Sequence, residues 1–298
     1  MAEPKWKEKF IERYSKLTDI DIFLETSLKP LPKTIRVNTL KATVEEMKQR
    51  MKLTPIPWCK EGFTTEGFAL GNTMDHFLGY FYMQSAASMI PPVVLDPGPQ
   101  EIVLDMCASP GSKTSQMAAM MNNQGIIVAN DNAIKRLKPL TLNLQRMGVS
   151  NTVITLMDGK RISGQKFDKI LVDAPCSGIG TIRKSFKTIE MWNPNYSKKL
   201  HYLQKKLLST AISLLKEDGV VVYSTCTLEP DEDEGVIDAI LSSHEDVRVE
   251  KIELPIRKGE AVTEFEGKSY SDEVRKCLRI WPQDNDTEGF FVAKLKKA

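Results

Sequence analysis

The sequence predicts an α/β protein: a doubly wound, mostly parallel sheet with an antiparallel edge hairpin, preceded by a small α+β unit. Three observations predict it. From about residue 100, apolar strand-like runs alternate with helical stretches. Those runs are almost continuously apolar, the pattern of strands covered on both faces. The first ninety residues lack this rhythm and are broken by Pro and Gly into short pieces. Residues 1–90 therefore read as one unit with its linker, and residues 91–298 as a second.

Residues 5–28 read as one or two helices, because Trp6, Phe10, Ile11, Tyr14 and Leu17 recur at helical spacing. The stretch 29–40 is Pro-punctuated and then extended. Thr43 caps a helix over roughly 44–52, with Glu46 three residues on completing a capping box. A linker helix is expected around 83–90. Strands follow at 101–108, 125–131, 151–158, 167–174 and 219–226, with helices at 113–122, 133–147 and 198–217 between them. A further helix is expected at 231–242, then strands at 246–252, 277–281 and 289–295. A short turn joins the last two, so they read as a hairpin.

The 298 residues allow one or two domains. With 41% hydrophobic and 27% charged residues the chain is an ordinary globular one, and its aromatics argue against disorder. A formal charge of +2 means that any nucleic-acid site must come from local clustering. No apolar run is long enough to span a membrane, and the first residues carry no signal-peptide core. The cytoplasm is the expected compartment, and a monomer the expected state. The 5 cysteines are scattered, which fits neither a disulfide framework nor zinc spacing, and no metal is expected.

In a doubly wound sheet, ligands sit beyond the carboxyl ends of the strands. Here those ends carry Cys107–Ala108, Asp131, Asp158, Asp173 with Cys176, and Cys226. Acids at strand ends often cap the next helix, but capping does not ask for thiols. The loop LDMCASPGSKT (104–114) is neither a P-loop nor G-x-G-x-x-G. Its small residues still allow close backbone approach of a ligand at a helix N-terminus. Asp131 is placed for a ribose diol and Asp158 for a base edge. Loop, ribose acid and base acid together describe an adenosine-containing ligand. Without phosphates to hold, S-adenosylmethionine fits better than a dinucleotide or nucleoside triphosphate.

DAPCSG (173–178) and STCT (224–227) each follow a buried strand, which brings Cys176 and Cys226 near each other at the ligand edge. Cys59 and Cys277 read as small hydrophobes. Paired thiols beside a methyl donor suit alkylation of a poorly nucleophilic ring carbon. A thiolate adding to carbon 6 of cytosine turns carbon 5 into an enamine nucleophile. A carboxylic acid near N3 stabilises that adduct, and a base then removes the carbon-5 proton.

DMCASPGSKT, ANDNAIKR, DAPCSG and YSTCTLEPDEDE closely resemble the motifs of the Sun-type family of RNA cytosine-5 methyltransferases. IRVNTL (35–40), YMQSAASMIPP (82–92) and the closing RIWP…TEGFFVAKL (279–295) are similar to it too, so the resemblance covers roughly residues 30–298. It implies a Rossmann-like methyltransferase fold behind a small RRM-like domain. It implies that Cys226 is the nucleophile and that Cys176 assists product release. Cytosine-5 DNA enzymes use a Pro-Cys cysteine as nucleophile, so Cys176 remains the competitor. Cofactor contacts are implied from Cys107, Ala108, Ser109, Pro110, Gly111, Ser112 and Lys113, and from Asp131, Arg136 and Asp158. Asp173 is implied between cofactor and base as a third catalytic group. Ser109 and Ser112 depart from a commoner Ala-Pro-Gly-Gly, which Ser replaces where φ is negative.

The segment 181–206 carries seven Lys and Arg against one Glu, with Phe186, Trp192, Tyr196 and Tyr202 interleaved. Cations bind phosphates and aromatics stack on unpaired bases. Arg183, Lys184, Lys187, Lys198 and Lys199 are therefore expected RNA contacts. Arg36 and Asn38 either reach RNA or brace the domain junction. Glu229–Glu234 reads as charge at a helix start, and Phe290 and Phe291 as buried strand or base-pocket wall. The expected partner is structured RNA, tRNA first and rRNA second. The alternative is a non-catalytic RNA-binding or ribosome-assembly factor that retains the fold.

Overall fold

The computed structural model describes residues 6–66 and 69–298. Two short helices, α1 (Glu8–Tyr14) and α2 (Ile20–Leu28), come first. A small unit follows in the order β1 (Thr34–Val37), α3 (Val44–Arg50), β2 (Leu53–Ile56), β3 (Cys59–Thr65), α4 (Met74–Leu78) and β4 (Phe81–Met83). Its sheet runs β2-β3-β1-β4, antiparallel throughout, the βαββαβ layout of an RRM-like domain. The expected capping box starts α3: Glu46 N–H donates to Thr43 Oγ1 at 3.2 Å, and Thr43 N–H to Glu46 Oε2 at 2.7 Å.

One face of this sheet buries Ile35, Val37, Phe63 and Phe81 under α3. The opposite face, the one an RRM-like unit offers to RNA, is closed by the rest of the chain. Gly62 lies on it, where an added Cβ would stand 2.7 Å from Met89 Sδ. Arg36 lies on it too, and its guanidinium donates to Ser112 O at 3.3 Å and Ser115 Oγ at 2.9 Å.

The larger sheet is reached through α5 (Ile90–Leu95), which begins after β4 and a single 3-10 turn rather than at residue 83. The expected alternation then holds: β5 (Ile102–Asp105), α6 (Ser112–Met120), β6 (Ile126–Asp131), α7 (Ile134–Met147), β7 (Thr152–Leu156) and β8 (Phe167–Asp173). After α8 (Lys187–Met191) and α9 (Pro194–Leu214) comes β9 (Leu215–Thr225). Pro194 pre-sets the first helical φ of α9 and Asn193 caps it, so the helix starts before residue 198. The chain ends in α10 (Glu234–Leu241), β10 (Val247–Glu250), the small pair β11 (Glu264–Phe265) and β12 (Lys268–Ser269), β13 (Leu278–Ile280), α11 (Pro282–Asn285) and β14 (Phe290–Lys297).

The order is β10-β14-β9-β8-β5-β6-β7, with β5 to β9 parallel. The final strands β13 and β14 pair antiparallel at this edge of the sheet, as expected, and the structure adds how they are seated. β14 inserts beside β9, and its outer side is shared by β13 and β10 in tandem. The centre of β14 is fully buried at Phe291, Val292 and Ala293, which an edge strand would not be. The order reverses between β5 and β8, so their following loops part and open a crevice there.

The first two helices also sit elsewhere than their place in the sequence suggests. Phe10, Tyr14 and Phe23 pack on Ile182, Trp192, Leu228 and Trp281, so α1 and α2 cover the catalytic-side loops, not the small sheet. Their stacked rings, Tyr14 on Phe23 at 5.8 Å among them, anchor that contact.

Candidate active site

The loop after β5 turns tightly into α6 through Gly111, whose φ is 97°. Ser109 and Ser112 are not among the residues with positive φ, so their departure from Ala and Gly is unstrained. Asp131, at the end of β6, is only 2% exposed. It accepts from Ala133 N–H at 3.2 Å and Ser109 N–H at 3.4 Å and lies 3.4 Å from Arg136 Nε. Arg136 also donates to Ser109 O at 3.0 Å, tying loop to helix. Asp158 is half-exposed and caps a short 3-10 turn, accepting from Lys160 N–H at 3.1 Å.

These groups line a cavity of about 420 Å³ that also holds Asp173, Pro175, Cys176 and Cys226. Acids at two strand ends, with the backbone of the first loop between them, fit an adenosine and its sulfonium tail. Lys113 and Pro110 lie on the other side. With Ser112, Phe290 and Glu288 they line a second cavity of about 320 Å³. The two cavities share Cys107, Ser109, Asp173 and Cys226, and also meet at the β5–β8 crevice.

Cys226 stands at that shared wall, and the Cys176 Sγ, which lines the larger cavity, lies 3.3 Å from its Sγ. The Cys176 thiol is held well above its usual range, first by its hydrogen bond to Cys226, then by burial and the nearby Glu232 and Asp173. The two sulfur atoms are within hydrogen-bond distance of each other. Lys113 Nζ donates to Asp173 Oδ2 at 2.8 Å and Ser88 Oγ at 3.0 Å. Burial pulls the Lys113 ammonium down, but Asp173, Cys226 and Asp105 outweigh it, and its pKa is raised. Lys113 thus stands as a fixed cation beside Cys226. Ser224 Oγ donates to Asp173 Oδ1 at 2.8 Å, so both carboxylate oxygens are fixed. Burial pushes the Cys107 thiol up, leaving it inert, and does the same to Cys59, up to about 11.

The position of Cys226 depends on close backbone packing. Gly180 N–H donates to Cys226 O at 2.9 Å and Gly289 N–H to Gly180 O at 3.0 Å. A Cβ at Gly180 would meet Gly289 O at 2.0 Å and Cys226 O at 2.8 Å, so three chains pass where only glycine fits.

The acidic run needs a correction. Only Glu234 lies in the first turn of α10, and Glu229–Glu234 are buried supports of the Cys226 loop. Glu229 takes Arg13 at 2.8 Å, Tyr14 OH at 3.1 Å and Trp192 Nε1 at 2.7 Å. Glu232 accepts from Ser177 N–H at 3.0 Å and Gln204 Nε2 at 2.8 Å, holding the Cys176 loop. Asp233 accepts from Thr225 Oγ1 at 2.6 Å, and Arg279 joins Asp233 to Glu234.

Three expected RNA contacts are also corrected by burial. Arg36 is 1% exposed and its head group is taken up by Gln84, Ser112 and Ser115. Asn38 is fully buried and donates to Gly79 O and Met147 O. Both brace the domain junction. Arg183 donates to Lys29 O, Pro30 O, Thr287 O and Asp286 Oδ1. Lys184, Lys187, Lys198 and Lys199 are exposed, Lys184 paired with Glu288. Trp192 is core, whereas Tyr196 and Tyr202 are 52% and 68% exposed beside the lysines. Phe290 is wall of the second cavity and Phe291 is core. Ser88, Ser224 and Glu288 also line or fix the site, but common residues outside any recognisable spacing give no signal in a sequence.

Among the described residues no cluster of His, Cys, Asp or Glu is arranged to hold a metal ion, and no helix is long and apolar enough to cross a membrane. The family described as 16S rRNA methyltransferase RsmB/F matches residues 92–296, and the N-terminal domain of 16S rRNA methyltransferase RsmF matches residues 7–86. A protein named tRNA (cytosine(49)-C(5))-methyltransferase from Pyrococcus abyssi is 47% identical over 98% of this chain and 97% of its own length. Ribosomal RNA small subunit methyltransferase F from Vibrio atlanticus is 42% identical over 94% of this chain but only 60% of its own length. A crystal structure of a methyltransferase homolog from Pyrococcus horikoshii, 38% identical, superposes with a TM-score of 0.86 over 98% of this chain and 96% of that one.

Proposed function

The chain belongs to the RsmB/F family of S-adenosylmethionine-dependent RNA methyltransferases, and from that premise we propose that it methylates carbon 5 of a cytosine in structured RNA. We infer tRNA as the first target, because the relative named for tRNA matches end to end, whereas the one named for ribosomal RNA extends well beyond this chain. The cytoplasm is the compartment this substrate implies.

One observation carries the chemistry: Cys226 lies on the wall shared by two cavities, with the Cys176 thiol 3.3 Å from it on the side of the larger one. The 420 Å³ cavity takes the cofactor, with Asp131 on the ribose, Asp158 at the base edge and Cys107 and Ser109 of the first loop along the tail. The 320 Å³ cavity takes the cytosine. Cys226, with Lys113 as its cation and Cys176 beside it, attacks carbon 6. The Asp173–Lys113 pair holds the proton at N3, so that electron density moves to carbon 5. Bound S-adenosylmethionine supplies the electrophilic methyl group that carbon 5 takes. Loss of the carbon-5 proton then expels the Cys226 sulfur, and Cys176 assists that release. Tyr196, Tyr202 and the lysines of α8 and α9 hold the surrounding RNA.

The test is bisulfite sequencing of tRNA and rRNA after incubation with cofactor and wild type, Cys226→Ala or Cys176→Ala. Wild type alone protects new cytosines, Cys226→Ala protects none, and Cys176→Ala accumulates a denaturation-resistant protein–RNA adduct. An adduct with Cys226→Ala but not with Cys176→Ala exchanges the two roles. No protected cytosine in either pool favours the assembly-factor reading.

A further inference from the structure

A concavity of about 770 Å³ takes no part in the chemistry above. It runs between the small unit and the turn at 285–287, and its lining is mainly apolar: Pro32, Ile56, Pro57, Trp58, Leu70 and Met83. It opens into the cytosine cavity, with which it shares Met83, Gln84, Ser85 and Lys184. Its two rims are fixed by one buried side chain. Arg183 donates to Lys29 O at 3.1 Å and Pro30 O at 2.9 Å on one rim, and to Thr287 O at 3.2 Å and Asp286 Oδ1 at 2.7 Å on the other. Trp58 is set in place by its Nε1–H, which donates to Ala86 O at 2.9 Å. The groove is thus preformed.

We propose that this groove seats the unpaired nucleobase next to the target cytosine. The proposal rests on the reading of the 320 Å³ cavity as the cytosine site. A cytosine drawn into that cavity leaves the stack, and its neighbour loses a stacking partner. A strand entering the cavity continues past the shared rim, so the adjoining slot is the first surface its next residue meets. An apolar slot restores the lost contact for any base, and Lys184 on the shared rim faces the intervening phosphate. The open sheet face of the RRM-like unit is closed by Met89 and α6, so its route to RNA is through the β2–β3 edge and the 69–71 turn that line this groove.

Gly71 offers a direct test. Among the described residues a Cβ there meets Met83 Cε at 3.6 Å and nothing nearer, and its φ lies outside the left-handed region, so Gly71→Trp enters the slot without backbone strain. The substrate is a tRNA transcript, intact or made abasic at the 5′ or the 3′ neighbour of the methylated cytosine. Gly71→Trp raises KM for the intact transcript about tenfold, the size of one lost stacking contact, with kcat and the Kd for S-adenosylhomocysteine unchanged. Wild type suffers a similar loss on one of the two abasic transcripts. Combining variant and abasic transcript costs no more than either alone. Losses that multiply, or an unchanged KM for Gly71→Trp, overturn the assignment. Gly71→Ala is the folding control and melts as wild type does. If Gly71→Trp melts below it, Pro57→Glu, exposed on the groove and outside the cytosine cavity, carries the same comparison. Failure of wild type to methylate any transcript overturns the cytosine-site reading, and this proposal with it. Methylation that is indifferent to the groove overturns the groove alone.

Discussion

Replacing Arg279 by Met tests whether the buried acids behind Cys226 act as a scaffold. The side chain is 1% exposed and its guanidinium donates to Glu234 Oε1 at 2.8 Å, Asp233 Oδ2 at 3.2 Å and Leu228 O at 3.1 Å, besides a short contact to Glu234 Oε2. Both carboxylates are fully buried. Met keeps the volume and leaves two negative charges without their cation. Removing one partner of a buried ion pair costs about 3–5 kcal/mol, and two stranded acids place the variant at the upper end. That is a large share of the roughly 5–15 kcal/mol that holds a protein folded. The sign of the pH dependence follows. Burial already pushes the Asp233 carboxyl well up, with Arg279 opposing. Without the arginine the folded-state pKa rises further, so stability is lost as pH rises through it. Urea unfolding should therefore show a deficit that is largest near about pH 8 and shrinks toward about pH 5. Arg279→Met with Glu234→Gln should recover part of it. Because Thr225 and Leu228 flank Cys226 and are held by this network, methyl transfer should fall while cofactor affinity stays. A deficit below about 1 kcal/mol, or one independent of pH, refutes the scaffold.

Other outcomes follow from the same geometry. Asp131→Ala should weaken S-adenosylhomocysteine binding by about 1–2 kcal/mol in calorimetry, and an unchanged Kd removes Asp131 from the cofactor site. Burial raises the Asp105 carboxyl to about 7, so its share of stability is present below the unfolded value near about pH 4 and is lost as pH rises to about 7. Asp105→Asn should flatten that stretch of the urea-midpoint profile, and parallel profiles for variant and wild type refute it. Lys198→Glu with Lys199→Glu should raise KM for RNA and lower the log–log salt slope by about 2, leaving cofactor affinity alone. A salt slope equal to that of wild type takes these lysines off the RNA path.

What was legible in the sequence is what local pattern determines. The strands β5 to β9 show as apolar runs, and parallel winding puts Asp131, Asp173, Cys176 and Cys226 on one edge whatever else happens. What was not legible depends on partners far along the chain. Arg36 and Asn38 have the residue types of a surface RNA contact, and only the docking of the small sheet on α6 and α7 buries them. Glu229 reads as a solvated acid until Arg13 and Trp192, from two distant segments, close over it. The placement of β14 beside β9 was hidden for the same reason. Its neighbour in sequence is β13, with which it does pair, and an apolar eight-residue strand buries more beside β9 than at an edge.

Arg36 shows why the small unit and the active site behave as one body. Burial pulls its pKa down to about 10, outweighing the opposing charge of Glu61, so the buried guanidinium is an electrostatic burden that an apolar side chain would remove. What the guanidinium provides is direction. It fixes Gln84, which in turn donates to Ser88 O and Gln116 Oε1, and it holds Ser112 O at the first turn of α6. Lys113 is the next residue, and its ammonium sits between Ser88 and Asp173. Two or three hydrogen bonds therefore connect the small sheet to Asp173, the carboxylate proposed to face the base. The same sheet forms one wall of the 770 Å³ groove, so RNA seated there as proposed would press on the elements that position Lys113. An arginine retained against its desolvation cost is the expected result when register between two units matters more than stability.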